Sequence, residues 1–261
     1  MDGIWADLST LLAVDAQQLL QADMIFRIGL QILLLTAASI AFLHTVLGPD
    51  HYIVFTAMGK ARRWSLGKTL RITLICGVAH VLGSVLLGFI GIAIGAELAA
   101  LIKIEGMRGG LAGWALLAFG LMYFAWGLRK AGRGRVHSHV HVHEGVIHDH
   151  EHDHHAEHTH VHDTESRLSI TPWAMFIIFV FGPCEALIPL FMYPAAQHSA
   201  ALIIQVALVF GAVTLMTMTA AVAITFTGLE RLKLPSPGRW DHAVAGASVA
   251  LCGAAITMIG L

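Results

Sequence analysis

Long apolar runs are the feature that most constrains how this 261-residue chain can fold. An α-helix needs about 20 mostly apolar residues to cross the ~30 Å hydrocarbon core of a bilayer. Runs of this kind lie at residues 26–48, 71–96, 109–128, 172–193, 199–228 and 241–261. The sequence therefore predicts an all-α polytopic membrane protein, with about six transmembrane helices surrounded by a lipid bilayer.

The composition excludes several other classes of protein. Charged residues make up 13% of the chain, about half the fraction found in an average soluble domain. The 16 basic and 17 acidic residues nearly balance, so no basic field is available to attract a nucleic acid. The three cysteines all lie in apolar runs, which argues against a disulfide framework. No G-x-x-x-x-G-K-[ST] motif is present, so the chain is not expected to use ATP itself.

Composition also divides the chain into four segments. Residues 1–25 carry apolar residues at near-helical spacing and no basic n-region, and they predict an external helix lying on the membrane surface. Residues 26–128 hold the first three helices, residues 129–171 form a polar loop, and residues 172–261 hold the last three helices. The expected architecture is two three-helix halves, as in transporters built from repeats with broken helices.

Basic residues predict the orientation of the chain in the membrane. Thirteen Lys and Arg residues fall in the loops after the first, third and fifth spans, whereas only Arg27, Lys103 and Arg108 fall elsewhere. Because cytoplasmic loops carry the excess of basic residues, these three loops are expected in the cytoplasm. Both termini are then outside, and the polar loop is cytoplasmic.

The first polar motif within an apolar run is H-T-V-L-G-P-D-H, at residues 44–51. Gly48-Pro49 predicts a break in the helix, because proline lacks an N–H group and clashes with the preceding turn. Such a break would let His44, Asp50 and His51 converge on one point. Two imidazoles and a carboxylate suit divalent ions such as Ni²⁺, Co²⁺, Zn²⁺ or Fe²⁺. The alternative is a helix end at the membrane surface, where these side chains are simply hydrated.

A second motif, F-G-P-C-E-A-L-I-P-L, predicts another broken helix at Pro183. The Glu185 carboxylate within this span is costly in lipid unless it faces a cavity, a proton or a cation. Cys184 is a possible soft ligand, and His80 in the second span is a third intramembrane candidate. The alternatives are packing roles: a carboxylate tied to another span, a small buried thiol and a hydrogen-bonded histidine.

The polar loop contains a dense run of histidines interleaved with Asp and Glu. Its polarity predicts disorder in the absence of metal, and its histidines predict that it binds several divalent ions with little selectivity. A pH-responsive loop and a solvated linker are the alternatives. The histidines are His137, His139, His141, His143, His148, His150, His152, His154, His155, His158, His160 and His162.

These motifs resemble those of the nickel/cobalt transporter superfamily. H44-T-V-L-G-P-D-H51 is similar to its first-helix signature, and F-G-P-C-E-A-L-I-P is similar to a motif of its NicO branch, which includes RcnA-type exporters. The segments around His80, F-G-A-V-T-L-M-T-M-T, W-D-H-A-V-A-G and the histidine-rich loop also resemble that branch. The resemblance covers most of the chain from Leu43 onward and implies a bacterial inner-membrane protein.

The resemblance implies a secondary transporter of Ni²⁺ or Co²⁺, with other divalent cations such as Zn²⁺ as alternative substrates. Its implied metal path uses His44, Asp50, His51, His80, Cys184 and Glu185, with no permanently bound cofactor and no enzymatic activity. Export is favoured, and uptake by a NiCoT-like permease is the alternative. More remote alternatives are a transmembrane thiol–disulfide relay and a metal sensor that transports nothing.

Overall fold

The computed structural model describes residues 2–95, 97–133, 138–143, 146–151, 170–182, 184, 186–197, 199–232 and 238–259. The described chain is helical except for one hairpin in the polar loop. Its helices are α1 (Asp2–Leu47), α2 (Ile53–Ala61), α3 (Leu66–Ala93), α4 (Leu98–Arg133), α5 (Ile170–Phe181), α6 (Leu187–Ala196), α7 (Ala200–Arg231) and α8 (Asp241–Ile259). Short 3₁₀ helices span Pro49–His51 and Gly238–Trp240.

Five helical segments of the described chain are long and apolar enough to cross a membrane, which confirms the predicted helical fold and is compatible with a membrane protein. They are Gln18–Leu47, Leu66–Ala93, Leu98–Gly132, Ala200–Arg231 and Gly238–Met258. The predicted run at residues 172–193 is divided between α5 and α6, which have 12 and 10 residues. Neither of these two helices is long enough by itself to cross the hydrocarbon core.

The N-terminal region differs from the prediction of a separate surface helix. Helix α1 continues from Asp2 to Leu47 without interruption. No glycine or proline occurs between Ile4 and Ile28, so nothing in this stretch favours the end of a helix. The surface segment and the first span are therefore one element.

Both proline motifs lie where helices end. At the first motif, α1 ends at Leu47, Gly48 is extended (φ −85°, ψ 95°), and Pro49 begins a 3₁₀ helix. At the second, α5 ends at Phe181 and α6 begins at Leu187. The helix breaks predicted from proline are present at both places, although Pro183 and Glu185 themselves lie outside the described residues.

Glycines allow α4 and α8 to pack with their backbones in close approach. A Cβ atom added to Gly120 would lie 2.3 Å from the Ala250 nitrogen, and one added to Gly246 would lie 2.3 Å from the Phe124 nitrogen. Small residues at such an interface let helices associate in a membrane, where burial of apolar surface adds little. Helix α1 packs mainly on α7, and α3 packs on α5 and α7.

The helix ends that border the loops predicted to be cytoplasmic contact one another at one end of the helical bundle. The Lys60 ammonium, at the end of α2, donates to the Glu230 carboxylate near the end of α7 over 2.8 Å. Lys130, near the end of α4, donates to His242 Nε2 at the start of α8 over 3.0 Å. Arg62 donates to the Thr171 hydroxyl at the start of α5.

Part of the polar loop forms an antiparallel hairpin of β1 (Ser138–His143) and β2 (Val146–Glu151). Its register pairs His139 with His150 and His141 with His148. These strands differ from the predicted disorder, and in β1 valine and histidine alternate in a pattern that favours a strand. The other loop histidines lie outside the described residues: His137, His152, His154, His155, His158, His160 and His162.

Candidate metal centre

Three histidines from separate segments of the chain meet in the interior. His44 lies in the last turn of α1, His51 ends the 3₁₀ helix, and His80 lies in the middle of α3. Each offers a ring nitrogen, and these three atoms all lie within 4.8 Å of one another. His51 and His80 are each only 3% exposed. All three are candidate ligands predicted from the sequence, and the fold brings them together.

The His51 ring is held so that one nitrogen remains available. Its Nδ1 atom lies 3.1 Å from the Gly48 carbonyl oxygen and 3.2 Å from Asp50 Oδ1. Because a carbonyl oxygen can only accept, Nδ1 carries the hydrogen and Nε2 carries the lone pair. His51 Nε2 is buried and has no hydrogen-bond partner in the described part of the chain. A buried, unpartnered lone pair of this kind suits a metal ligand.

The His80 ring is also oriented by a backbone carbonyl, which in this case belongs to α5. Its Nδ1 atom lies 3.4 Å from the Phe179 carbonyl oxygen, near the end of α5, and therefore donates to it. Its Nε2 atom lies 3.2 Å from the sulfur of Cys184, whose thiol can donate to it. The same sulfur lies 3.9 Å from His44 Nε2. Cys184 is thus next to two of the three histidines.

Asp50 lies beside the histidines and contacts the far side of the His51 ring. This arrangement resembles the carboxylate–histidine pairs that orient ligands in metal sites. Asp50 also lines a cavity of about 20 Å³ together with His80, Phe179 and Gly182. A cavity of this size can hold one water molecule or a small ion.

Two charged residues that the sequence analysis did not place at the site lie directly behind it. The distribution of basic residues predicts Arg108 on the external side of the membrane, and the polar motifs do not include Glu105. Both belong to α4, which begins at Leu98 rather than near residue 109, and Glu105 is fully buried. Arg108 Nη1 donates to Glu105 Oε1 over 2.6 Å. The signal available in the sequence was an acid and a base three residues apart beside an apolar run.

The donor set fits a divalent transition-metal ion. Three imidazole nitrogens with a neighbouring thiol are ligands that Ni²⁺, Co²⁺ and Zn²⁺ accept. Glu185, the remaining predicted ligand, lies outside the described residues, as does its neighbour Pro183.

No family model matches the chain, and no curated protein or solved structure matches it either. The resemblance to the nickel/cobalt transporter superfamily therefore rests on the sequence motifs.

Proposed function

We propose that the chain is a secondary transporter of divalent transition-metal cations, Ni²⁺ or Co²⁺, and that it exports them. The observation that carries this proposal is the convergence of His44, His51 and His80 inside an apolar helical bundle. Ionisable and metal-binding side chains within a membrane are costly and mark ion pathways. Site formation at helix breaks is typical of transporters, whose broken helices surround the transported ion.

In this proposal α5 and α6 together make a sixth crossing. Their 12 and 10 residues span about 18 Å and 15 Å at 1.5 Å per residue, which together match the hydrocarbon core. The break between them then lies near the middle of the membrane, at the level of Cys184. Such a crossing gives two three-helix halves, each contributing one broken helix.

The polar loop faces the cytoplasm in this proposal. Three pairs of a basic residue and a tryptophan support this side, because tryptophans are enriched at both membrane surfaces and basic residues at the cytoplasmic one. The pairs are Lys68 over Trp64, Lys130 over Trp126 and Arg239 over Trp240, with cation-to-ring distances of 5.7, 5.3 and 5.3 Å. The loop would collect ions in the cytoplasm and raise their concentration at the entrance to the histidine site.

Each residue of the site has a distinct part in this transport. His44, His51 and His80 replace part of the hydration shell of the ion, and Cys184 offers a sulfur ligand. Asp50 orients His51 and supplies negative charge nearby. Glu185 remains a predicted ligand or proton acceptor at the second break. The ion itself is the substrate, so no permanent cofactor is required.

Uptake is the second candidate, because the same site serves either direction. A thiol relay is disfavoured, because it needs two cysteines that can meet. Cys184 packs in one apolar cluster, whereas Cys76 and Cys252 pack in another. The contacts described for the Cys184 sulfur are with histidines.

The test is the content of radiolabelled Ni²⁺ and Co²⁺ in cells with and without the protein. Export predicts that cells with the native chain contain less of these metals than cells without the protein. Cells with His44→Ala or His51→Ala should contain as much as cells without the protein. His242→Ala is the matched control, since that histidine lies at the end of the bundle and contacts Tyr123 and Lys130. Higher content with the native chain would establish uptake instead. If neither the Ni²⁺ content nor the Co²⁺ content differed between cells with and without the protein, the proposal would be contradicted.

A further inference from the structure

The break between α5 and α6 exposes backbone groups that need partners. The last carbonyls of an α-helix have no partner within the helix, and an unsatisfied carbonyl in the membrane interior is costly. Arg108 Nη2 donates to the Val180 carbonyl over 3.0 Å and lies 3.5 Å from the Gly182 carbonyl. A cation at a helix C-terminus is also favoured by the helix dipole. The guanidinium therefore holds the chain just before Cys184.

Ser84 holds the chain at Cys184 itself. The backbone N–H of Cys184 donates to Ser84 Oγ over 3.2 Å, and Arg108 Nη1 lies 3.5 Å from the same oxygen. Ser84 follows His80 by four residues on α3, so both side chains lie on one face of that helix. One guanidinium thus links the end of α5, the Cys184 segment and the helix that carries His80.

Glu105 fixes the guanidinium in this position. It lies one turn before Arg108 on α4, and its carboxylate makes the shortest ion pair described in the chain, at 2.6 Å. A guanidinium in the membrane interior is costly unless a counter-charge accompanies it. The planar fork of Arg can serve the carboxylate, a carbonyl and the serine together, which a lysine ammonium cannot do equally well.

We propose that Arg108, held by Glu105, is a positioning residue that brings Cys184 into the metal centre, so that the ion is bound by a thiolate as well as imidazoles. This inference rests on the proposed function and names the ligand that the second half of the chain supplies. On binding, the Cys184 thiol loses its proton to solvent, and a sulfur–metal bond replaces the S–H bond. The thiolate makes the site softer, which favours late transition metals over Mg²⁺ and Mn²⁺.

The test is the absorption spectrum of the full-length purified protein titrated with Co²⁺. A thiolate bound to Co²⁺ gives a sulfur-to-metal charge-transfer band in the near ultraviolet, which imidazole ligands do not give. The histidine-rich loop contains no cysteine, so it adds no such band. We expect the band in the native protein, its loss in Cys184→Ser, and an unchanged band in Cys76→Ser.

Arg108→Ala should lose the charge-transfer band and still bind Co²⁺ through the histidines, with affinity lowered about 10- to 100-fold. Arg108→Lys keeps the charge and is expected to give a weaker band. It also keeps the test valid if the alanine variant does not fold. Arg129→Ala is the matched control, since Arg129 lies exposed on the same helix. A merely structural role for Arg108 would lower stability without removing sulfur from the ligands of the ion.

The outcomes separate this inference from the proposed function. A band of native intensity in both Arg108 variants would overturn the positioning role. Histidine-dependent Co²⁺ binding without any charge-transfer band in the native protein would also overturn it, and the transport proposal would stand. If the native protein and His51→Ala bound Co²⁺ equally, both the positioning role and the proposed function would be overturned.

Discussion

At the scale of single residues, backbone carbonyls at the helix breaks determine which histidine nitrogens are available. The Gly48 carbonyl, at the first break, accepts from His51 Nδ1. The Phe179 carbonyl, near the second break, accepts from His80 Nδ1. In both rings the Nε2 lone pair is thereby directed away from the backbone. The interruptions of the helices thus orient the candidate ligands as well as bringing them close.

Asp50→Asn tests the role of the carboxylate beside His51. An amide of nearly the same size keeps an oxygen near the ring but removes the negative charge that supports His51 as a ligand. We expect Co²⁺ affinity to fall about 10- to 100-fold, as is usual when such a partner of a ligand is lost. The measurement is a titration of the Co²⁺ charge-transfer band. Asp23→Asn, in an exposed ion pair with Arg27, is the control, and equal affinity of the two variants would contradict the role.

The sequence was sufficient to select these residues but did not establish their partners. His44, Asp50, His51 and His80 stand out because polar groups are costly within apolar runs. Asp50 is predicted as a direct ligand, and the structure adds that its Oδ1 atom contacts Nδ1 of His51. The pairing depends on the backbone turn after Gly48, which the residue pattern alone does not specify.

At the scale of elements, the first break depends on the absence of a side chain at Gly48. A Cβ atom there would lie 2.5 Å from His51 Nδ1 and 3.0 Å from Asp50 Oδ1. The backbone of Gly48 has a negative φ that other residues also adopt. Its glycine is therefore required by the close approach of the histidine ring rather than by backbone conformation.

Gly48→Ala should displace the His51 ring and move its Nε2 atom out of the cluster. We expect Co²⁺ affinity to fall roughly tenfold or more, comparable to the loss of an orienting partner. The matched control is Gly29→Ala in the same helix α1, where an added Cβ atom meets nothing within 4 Å. That substitution should leave binding unchanged. Native affinity in Gly48→Ala would show that the close approach does not control the site.

Proline positions and hydropathy predicted which helices and breaks occur more accurately than the residues at which each helix begins and ends. Both breaks follow from the chemistry of proline, which holds in any surroundings. The start of α4 was placed too late, because Lys103, Glu105 and Arg108 lower the local hydropathy. Burial of Glu105 with Arg108 compensates their charges and lets the helix begin at Leu98. Burial of this pair depends on how α4 packs against α3 and α5 in three dimensions, which hydropathy along the sequence does not specify.

At the scale of the whole molecule, the candidate metal centre joins the two halves of the chain. The first half supplies the histidines, and the second supplies Cys184, which lies 104 residues after His80. Hydropathy along a sequence does not contain such distances, so the membrane class, the helix breaks and the candidate residues were predictable, and the joining of the two halves at one site was not. A site between halves can change its access when one half moves against the other, as alternating access requires.

We propose that the three histidines carry a divalent transition metal across the membrane. The most direct measurement is the uptake of radiolabelled Ni²⁺ and Co²⁺ by sealed vesicles that contain the purified full-length protein. We predict uptake by the native protein and by His242→Ala, and its loss in the His44→Ala, His51→Ala, His80→Ala triple variant. Equal uptake by the triple variant and the native protein, at matched amounts of folded protein, would contradict this role of the histidines.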